Sequence, residues 1–282
     1  MKSTEINELD PSIPDAEPQH TAPEPEVVPV GPGDLLYRYV AELPVAEAIA
    51  RGVYRFYELT KYMKMEDEQG RSDSAEGAVT FPEEEYISNP EKLPVASYNG
   101  VEFHCISMGV DEEYISQYFV LCMSTEASET LLGDAKYRVD IHHDQFELLS
   151  DLLNPSDDAP GDRDGRKFFS HGPVEYYDID NHPTPIPGQR WKEVYVKHRR
   201  FAHQHEYRAA FFINDSAVER ISNQSEVIRR AIRHTDGSPM GFDLEFHRRA
   251  GRDSEGWRYI EIDTSEFAEK VGVKPGRIVE LE

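Results

Sequence analysis

The stretch Lys197-His198-Arg199-Arg200-Phe201-Ala202-His203-Gln204-His205-Glu206-Tyr207-Arg208 leads straight into the apolar run Ala209 to Ile213, and this junction constrains the fold more than any other segment. A short apolar run of this kind belongs to a buried strand. Continued backwards with a two-residue period, the strand places Gln204, Glu206 and Arg208 on one face and His203, His205 and Tyr207 on the other. Neither face is cleanly apolar before Ala209. A carboxylate at that point sits at the lip of a core, where a positive neighbour or a functional use has to offset its burial. Two readings follow: a functional glutamate, or an edge strand carrying a surface ion pair between Glu206 and Arg208.

The chain of 282 residues is long enough to bury a sizeable core as one large domain or two small ones. Acidic residues outnumber basic ones 54 to 30, a formal charge of −24, which argues against general affinity for nucleic acid or an anionic membrane and leaves room for a basic protein partner. Cys105 and Cys122 both lie in apolar, strand-like segments, so they read as reduced packing residues. No apolar run approaches the roughly 20 residues of a spanning helix, and the start Met1-Lys2-Ser3-Thr4-Glu5 lacks the pattern of a signal peptide. The expected setting is the cytoplasm of a bacterial host cell, with no membrane partner.

Residues 1–33 are rich in Pro, Glu and Asp without apolar periodicity and are expected to form a disordered tail. A single α+β domain is expected over 34–282, with a C-terminal hairpin subdomain over 241–282. It opens with a strand at Leu35 to Val40, then a helix from Pro44 to Arg51 closed by Gly52, then a strand at Val53 to Leu59. Residues 64–77 and 83–94 read as surface loops. Strands follow at 101–108, 117–124 and 137–141, and Asp144 caps a helix running to Leu153. After a polar loop over 154–165, strands are expected at 174–179 and 191–213, the latter in one piece or two. Residues 216–233 carry helical spacing, and 241–247 with 256–262 form a hairpin ahead of a short helix from Ser265. The elements do not alternate strand by helix, so the sheet is expected to be mainly antiparallel and strongly twisted, with flanking helices.

Phosphate-loop, glycine-rich dinucleotide and nucleophile-elbow patterns are absent. What remains is a constellation in chain order: Arg38 between Tyr37 and Tyr39, Ser124-Thr125 at the end of the strand Tyr118-Phe119-Val120-Leu121-Cys122-Met123, and Gln204-His205-Glu206. This order resembles the arginine, serine, glutamate class of the ADP-ribosyltransferase fold. From Leu35 to Ile213 the chain also resembles a group of poorly characterised bacterial and phage proteins. The matching pieces are Tyr37-Arg38-Tyr39, Tyr54-Arg55-Phe56-Tyr57, Glu66-Asp67, Asp73-Ser74-Ala75-Glu76-Gly77 and Lys197 through Arg208.

The resemblance implies an NAD-dependent ADP-ribosyltransferase or NAD glycohydrolase, acting in conflict between phage and bacterium, with NAD as substrate and no metal. Breaking the nicotinamide bond builds positive charge on the ribose, and Glu206 would stabilise it. Arg38 would hold the pyrophosphate by a bidentate contact. Ser124 would orient Glu206, Gln204 would engage the acceptor, Thr125 would line the cofactor site, and Tyr54, Phe56 or Tyr57 would stack on the nicotinamide ring. The spacings from Arg38 to Ser124 and from Ser124 to Glu206 are long for that family. Ser107, which ends a similar strand, competes with Ser124 for the serine role.

Two histidine groups suggest metal ligation: His142-His143-Asp144 and His203-x-His205, the second pair pointing the same way if it lies in a strand. The second lacks a third ligand, adjacent His142 and His143 point to opposite sides of a strand, and both groups read as polar surface or core-edge residues. Arg229, Arg230, Arg233, Arg248 and Arg249 form a basic concentration that reads as a solvated face paired with this chain's own acidic groups. Against the enzyme stands a non-enzymatic acidic binding or inhibitor protein, which imitates nucleic acid or sequesters a ligand. Between the two lies a site that binds a nucleotide without turning it over.

Overall fold

The computed structural model describes residues 30–31, 33–64, 78–98, 101–105, 107–109, 117–128, 133–154, 169–182, 194–213, 218, 226–233, 239–266, 269 and 272–281. The tail expected over 1–33 lies almost wholly outside them, as do most of the loops expected over 64–77 and 154–165 and much of the short helix expected from Ser265.

The chain folds as α+β around a mainly antiparallel sheet. It opens with β1 (Leu35–Val40), α1 (Leu43–Ala50), β2 (Val53–Glu58) and α2 (Leu59–Lys64). Smaller elements follow: β3 (Ala78–Thr80), α3 (Glu83–Ser88), β4 (Val95–Tyr98), β5 (Val101–His104) and β6 (Ser107–Gly109). Next come β7 (Tyr118–Ser124), β8 (Tyr137–His142), α4 (Asp144–Leu153), β9 (Phe169–Pro173), β10 (Glu175–Tyr177) and β11 (Val196–His198). The rest is strand: β12 (Glu206–Phe212), β13 (Glu226–Arg233), β14 (Pro239–Arg252), β15 (Arg258–Asp263) and β16 (Arg277–Glu280).

The 10-stranded main sheet runs β13-β14-β15-β2-β7-β1-β8-β16, with β12 on the other side of β7 and β9 beyond β12. The C-terminal hairpin therefore enters the main sheet directly, because β15 pairs with β2 from Tyr259 opposite Tyr57 to Asp263 opposite Val53.

One edge of β7 is shared. β1 meets it at Tyr37 opposite Ser124, while β2 meets it at Tyr57 opposite Val120 and Glu58 opposite Phe119. The sheet forks between these two contacts, at the level of Cys122.

The two faces of the sheet bury separate clusters, as strand alternation requires. Leu36, Phe56, Phe146, Phe169, Phe211 and Ile260 belong to the larger one, in which Phe56 meets Phe211 at 4.6 Å and Phe169 at 6.2 Å between ring centroids. Leu59, Tyr118, Val120, Val194 and Ala210 form the smaller one.

Helix α1 starts on a proline in its first turn and buries Ala46, Ile49 and Ala50. Gly52 ends it at φ +95°, and a Cβ there would lie 2.8 Å from Thr264 Oγ1, which donates to the Gly52 carbonyl. Gly52→Ala is expected to destabilise the fold by about 1–3 kcal/mol, read as a lowered urea midpoint with an unchanged slope.

Several segments differ from expectation. Residues 226–233 form a strand rather than a helix, since β13 pairs with β14 from Glu226 opposite Arg248 to Ala231 opposite Asp243. Its apolar residues Val227, Ile228, Ala231 and Ile232 follow the helical period, and pairing with the neighbouring strand overrides it. The acidic segment from Glu83 is helical, with Glu83, Glu84 and Glu85 in the first turn, where the helix dipole favours negative charge. Helix α4 is preceded by His143 without a side-chain cap bond, and the Asp144 carboxylate instead accepts from the Gly33 amide at 3.1 Å. The expected strand over 101–108 divides into β5 and β6, which pair with β4 and β3.

Candidate functional site

The segment 191–213 does not run as one strand. After β11, a 3-10 turn spans Arg199–Gln204, and His205 adopts a left-handed conformation at φ 44° before β12 begins at Glu206. A non-glycine residue there is uncommon and its backbone is strained. The turn brings Lys197 and Gln204 back against the first residues of β12.

Four polar side chains converge at that corner, all buried: Lys197, Gln204, Glu206 and the fully enclosed Arg208. Arg208 donates from Nε to Glu206 Oε1 at 2.7 Å and from Nη2 to Oε2 at 3.1 Å, a bidentate pair. Its Nη1 donates to the Val194 carbonyl at 2.6 Å. Lys197 Nζ donates to Glu206 Oε2 at 3.2 Å and to Gln204 Oε1 at 2.9 Å. The Glu206 amide donates to the Tyr176 hydroxyl at 2.8 Å.

Burial alone would raise the Glu206 carboxyl, but the charges of Arg208 and Lys197, with their hydrogen bonds, outweigh it and hold the group well below the usual carboxylate range. Glu206 is therefore ionised at neutral pH, with both oxygens engaged. Gln204 Nε2, buried beside it, has no hydrogen-bond partner among the described residues.

The topology brings together the strands of the predicted triad, while Arg38 follows Tyr37 and so leaves β1 on the face opposite to Ser124 and Glu206. β1, β7 and β12 lie side by side, with Tyr37, Ser124 and Glu206 in one row across them. Arg38 is one residue from that row, and its Nη1 donates to the Cys122 carbonyl at 2.6 Å, in the fork between β1 and β2. Its Nε is buried without a partner, and no carboxylate contacts its guanidinium among the described residues.

Of the two candidate serines, Ser124 lies on the strand between Arg38 and Glu206, whereas Ser107 pairs with Thr80 in a separate ladder. The Ser124 hydroxyl does not reach the Glu206 carboxylate. It donates to the Gln204 carbonyl at 3.1 Å and accepts from the Glu126 amide at 3.1 Å, so it holds the backbone that presents Glu206. Thr125 does similar work, its hydroxyl donating to the His205 carbonyl at 3.2 Å.

The three aromatic candidates fare differently. Tyr54 and Phe56 are wholly buried in the larger core and present no face for a ligand to stack on. Tyr57 is half-buried, with Lys61 Nζ 3.7 Å from its ring centroid and Tyr259 at 6.0 Å.

His203 and His205 do not act as a pair, because the strand that would align them is replaced by the 3-10 turn. His203 Nδ1 lies 3.1 Å from the Arg200 carbonyl, and His205 Nδ1 faces Glu126 at 3.4 Å. His142 and His143 divide across a strand end, and His143 alone turns inward. In the basic concentration, Arg249 Nε donates to Glu261 Oε1 at 2.6 Å, an internal pairing.

Sequence reasoning missed Tyr176 and the part played by Lys197, which meet Glu206 only through chain reversal. Comparison of this chain with protein-family models, with curated proteins and with solved structures finds no match.

Proposed function

We propose that the fork between β1 and β2 binds NAD or a related dinucleotide, with Arg38 holding the pyrophosphate. The observation that carries this reading is Arg38 itself: a partly enclosed guanidinium with no carboxylate partner among the described residues, on a strongly acidic chain. Acidic side chains are plentiful enough to pair an incidental arginine. A cation without a carboxylate partner among the described residues suits an anionic ligand, and paired phosphate oxygens match its planar donor fork.

Ser124 lies one strand away on β7 and Glu206 two strands away on β12, with Gln204 in the turn before it; the ADP-ribosyltransferase resemblance gives these residues the cleavage of the nicotinamide bond, although the Ser124 hydroxyl bonds the Gln204 carbonyl and not the Glu206 carboxylate. Ion pairing limits that chemistry. A carboxylate already bound to two cations has little field left for an oxocarbenium ion, so turnover requires Lys197 or Arg208 to move away when ligand binds. Binding is therefore the primary reading, and transfer or hydrolysis is a second one favoured by the shared row of Ser124 and Glu206.

Thermal-shift and calorimetric titrations with NAD and ADP-ribose test this, wild type beside Arg38→Gln. The expected result is saturable stabilisation of the wild type, about 2.7 kcal/mol at a hundredfold excess over Kd, lost in the variant. Parallel measurement of NAD consumption separates a binding protein from an enzyme. Absence of stabilisation by either ligand overturns the reading and turns attention to basic protein partners of the acidic surface.

A further inference from the structure

Tyr207 follows Glu206 on β12, so it projects from the opposite face of the sheet, into the larger core. Its hydroxyl lies 2.8 Å from His143 Nε2 and 2.6 Å from His171 Nδ1. His143 stands at the head of α4, Glu147 is one turn further on, and His171 comes from β9, which pairs with β12 through His171 opposite Ala209. One ligand atom from each of His143, Glu147 and His171 can be chosen so that all lie within 4.8 Å of one another. Both imidazole side chains are nearly enclosed, at 4% and 9% exposure, while the Glu147 side chain is 56% exposed.

We propose that His143, Glu147 and His171 form a site for a divalent transition-metal ion, zinc by ligand type, with one coordination position open toward solvent. Two imidazoles and a carboxylate are the three-ligand set of zinc sites that retain a water. The i, i+4 spacing puts His143 and Glu147 on one side of the helix start.

The distances agree with an ion between the three side chains. His143 Nε2 stands 3.9 Å from Glu147 Oε1, and His171 Nε2 stands 3.8 Å from Glu147 Oε2. Ligand atoms about 2.0–2.1 Å from a tetrahedral zinc lie roughly 3.3 Å apart, so side chains whose ligand atoms lie within 4.8 Å of one another draw together by up to about 1.5 Å around the ion, the exposed carboxylate having the most room to move.

Hydrogen bonding alone does not account for Glu147, which is too far from either imidazole to bond to it. Tyr207 completes the arrangement. Its hydroxyl is placed to accept the Nδ1 proton of His171, the usual outer-shell support of a metal-bound histidine, and its contact with His143 Nε2 is given up when that nitrogen takes the ion. The proposal departs from the expectation of no metal, and it is independent of the dinucleotide reading because the site lies on the other face of β12.

The test is calorimetric titration of the metal-stripped full-length protein with Zn²⁺, supported by the visible spectrum of the Co²⁺ form. Wild type is compared with Glu147→Gln, His171→Ala and Tyr207→Phe, each checked by circular dichroism and thermal melting. The expected result is one equivalent in the wild type and a tetrahedral cobalt spectrum. Affinity should fall at least tenfold in Glu147→Gln, drop by roughly 10–100-fold in Tyr207→Phe, and vanish in His171→Ala. Glu147 is exposed, so its variant reports on the site even if His171→Ala fails to fold. No stoichiometric binding by the wild type, or equal binding by wild type and Glu147→Gln, overturns the proposal.

Discussion

Glu206→Gln is expected to destabilise the protein by about 3–5 kcal/mol at neutral pH, a large fraction of the stability of an ordinary domain. The substitution leaves the guanidinium of Arg208, at 0% exposure, and the ammonium of Lys197, at 3%, without the carboxylate that neutralises them. Uncompensated buried charge is among the few single changes that reach this size. The physical claim has a second arm. The triple variant Lys197→Met, Glu206→Leu, Arg208→Met removes all the charges together and is expected to recover most of the loss, because a buried ion cluster contributes little net stability over a packed apolar one. Urea unfolding of both variants decides it, and an additive loss in the triple variant would show that the cluster is worth more than its desolvation.

The pH dependence has a definite sign. Glu206 has a folded-state pKa below its unfolded value of about 4.3, so its contribution is complete above that value and is lost only as pH falls through the depressed folded pKa. The difference between wild type and Glu206→Gln should hold from neutral pH to about pH 5 and shrink in stronger acid. The same substitution is a poor test of catalysis, since lost turnover and lost fold would coincide. Arg38→Gln is the cleaner probe of ligand binding.

Phe56→Ala is expected to cost about 3–5 kcal/mol through lost burial and the cavity left behind. Phe56 is fully enclosed and meets Phe211 edge-on, at 80° between ring planes. Phe56→Leu should cost much less because it keeps most of the volume. Neither change is expected to alter NAD affinity once unfolding is accounted for, whereas Tyr57→Ala removes the one stacking candidate that remains partly exposed. A weakened NAD response in a well-folded Phe56→Leu variant would show that this core opens to ligand.

Much of the framework was legible along the chain. Helix α1 follows from Pro44, the buried Ala46, Ile49 and Ala50, and the left-handed Gly52. Strands β1, β2, β7 and β8 follow from local apolar and aromatic runs, and helix α4 from its spacing. The charged entry to Ala209 correctly marked Glu206 as a carboxylate at the edge of a core. What misled was the strand reading of 199–205, where a 3-10 turn and a left-handed histidine break the two-residue period. It also misled at 226–233, where the same residues fit a helix in isolation and a strand beside β14.

The site divides the same way. Residue types are local, so the sequence by itself determined that an arginine stands within a strand, that a serine and a glutamate with a glutamine two before it stand near strand ends, and that the chain is acidic. Which groups touch is not local. Only the tertiary structure decided that Glu206 is claimed by Lys197 and Arg208, that Arg38 stands in a fork without a carboxylate partner among the described residues, and that His143, Glu147 and His171 meet around Tyr207. The pairing of β7 with β12 and of β12 with β9 sets those contacts, and such pairing joins residues remote in sequence through registers that each strand alone does not encode.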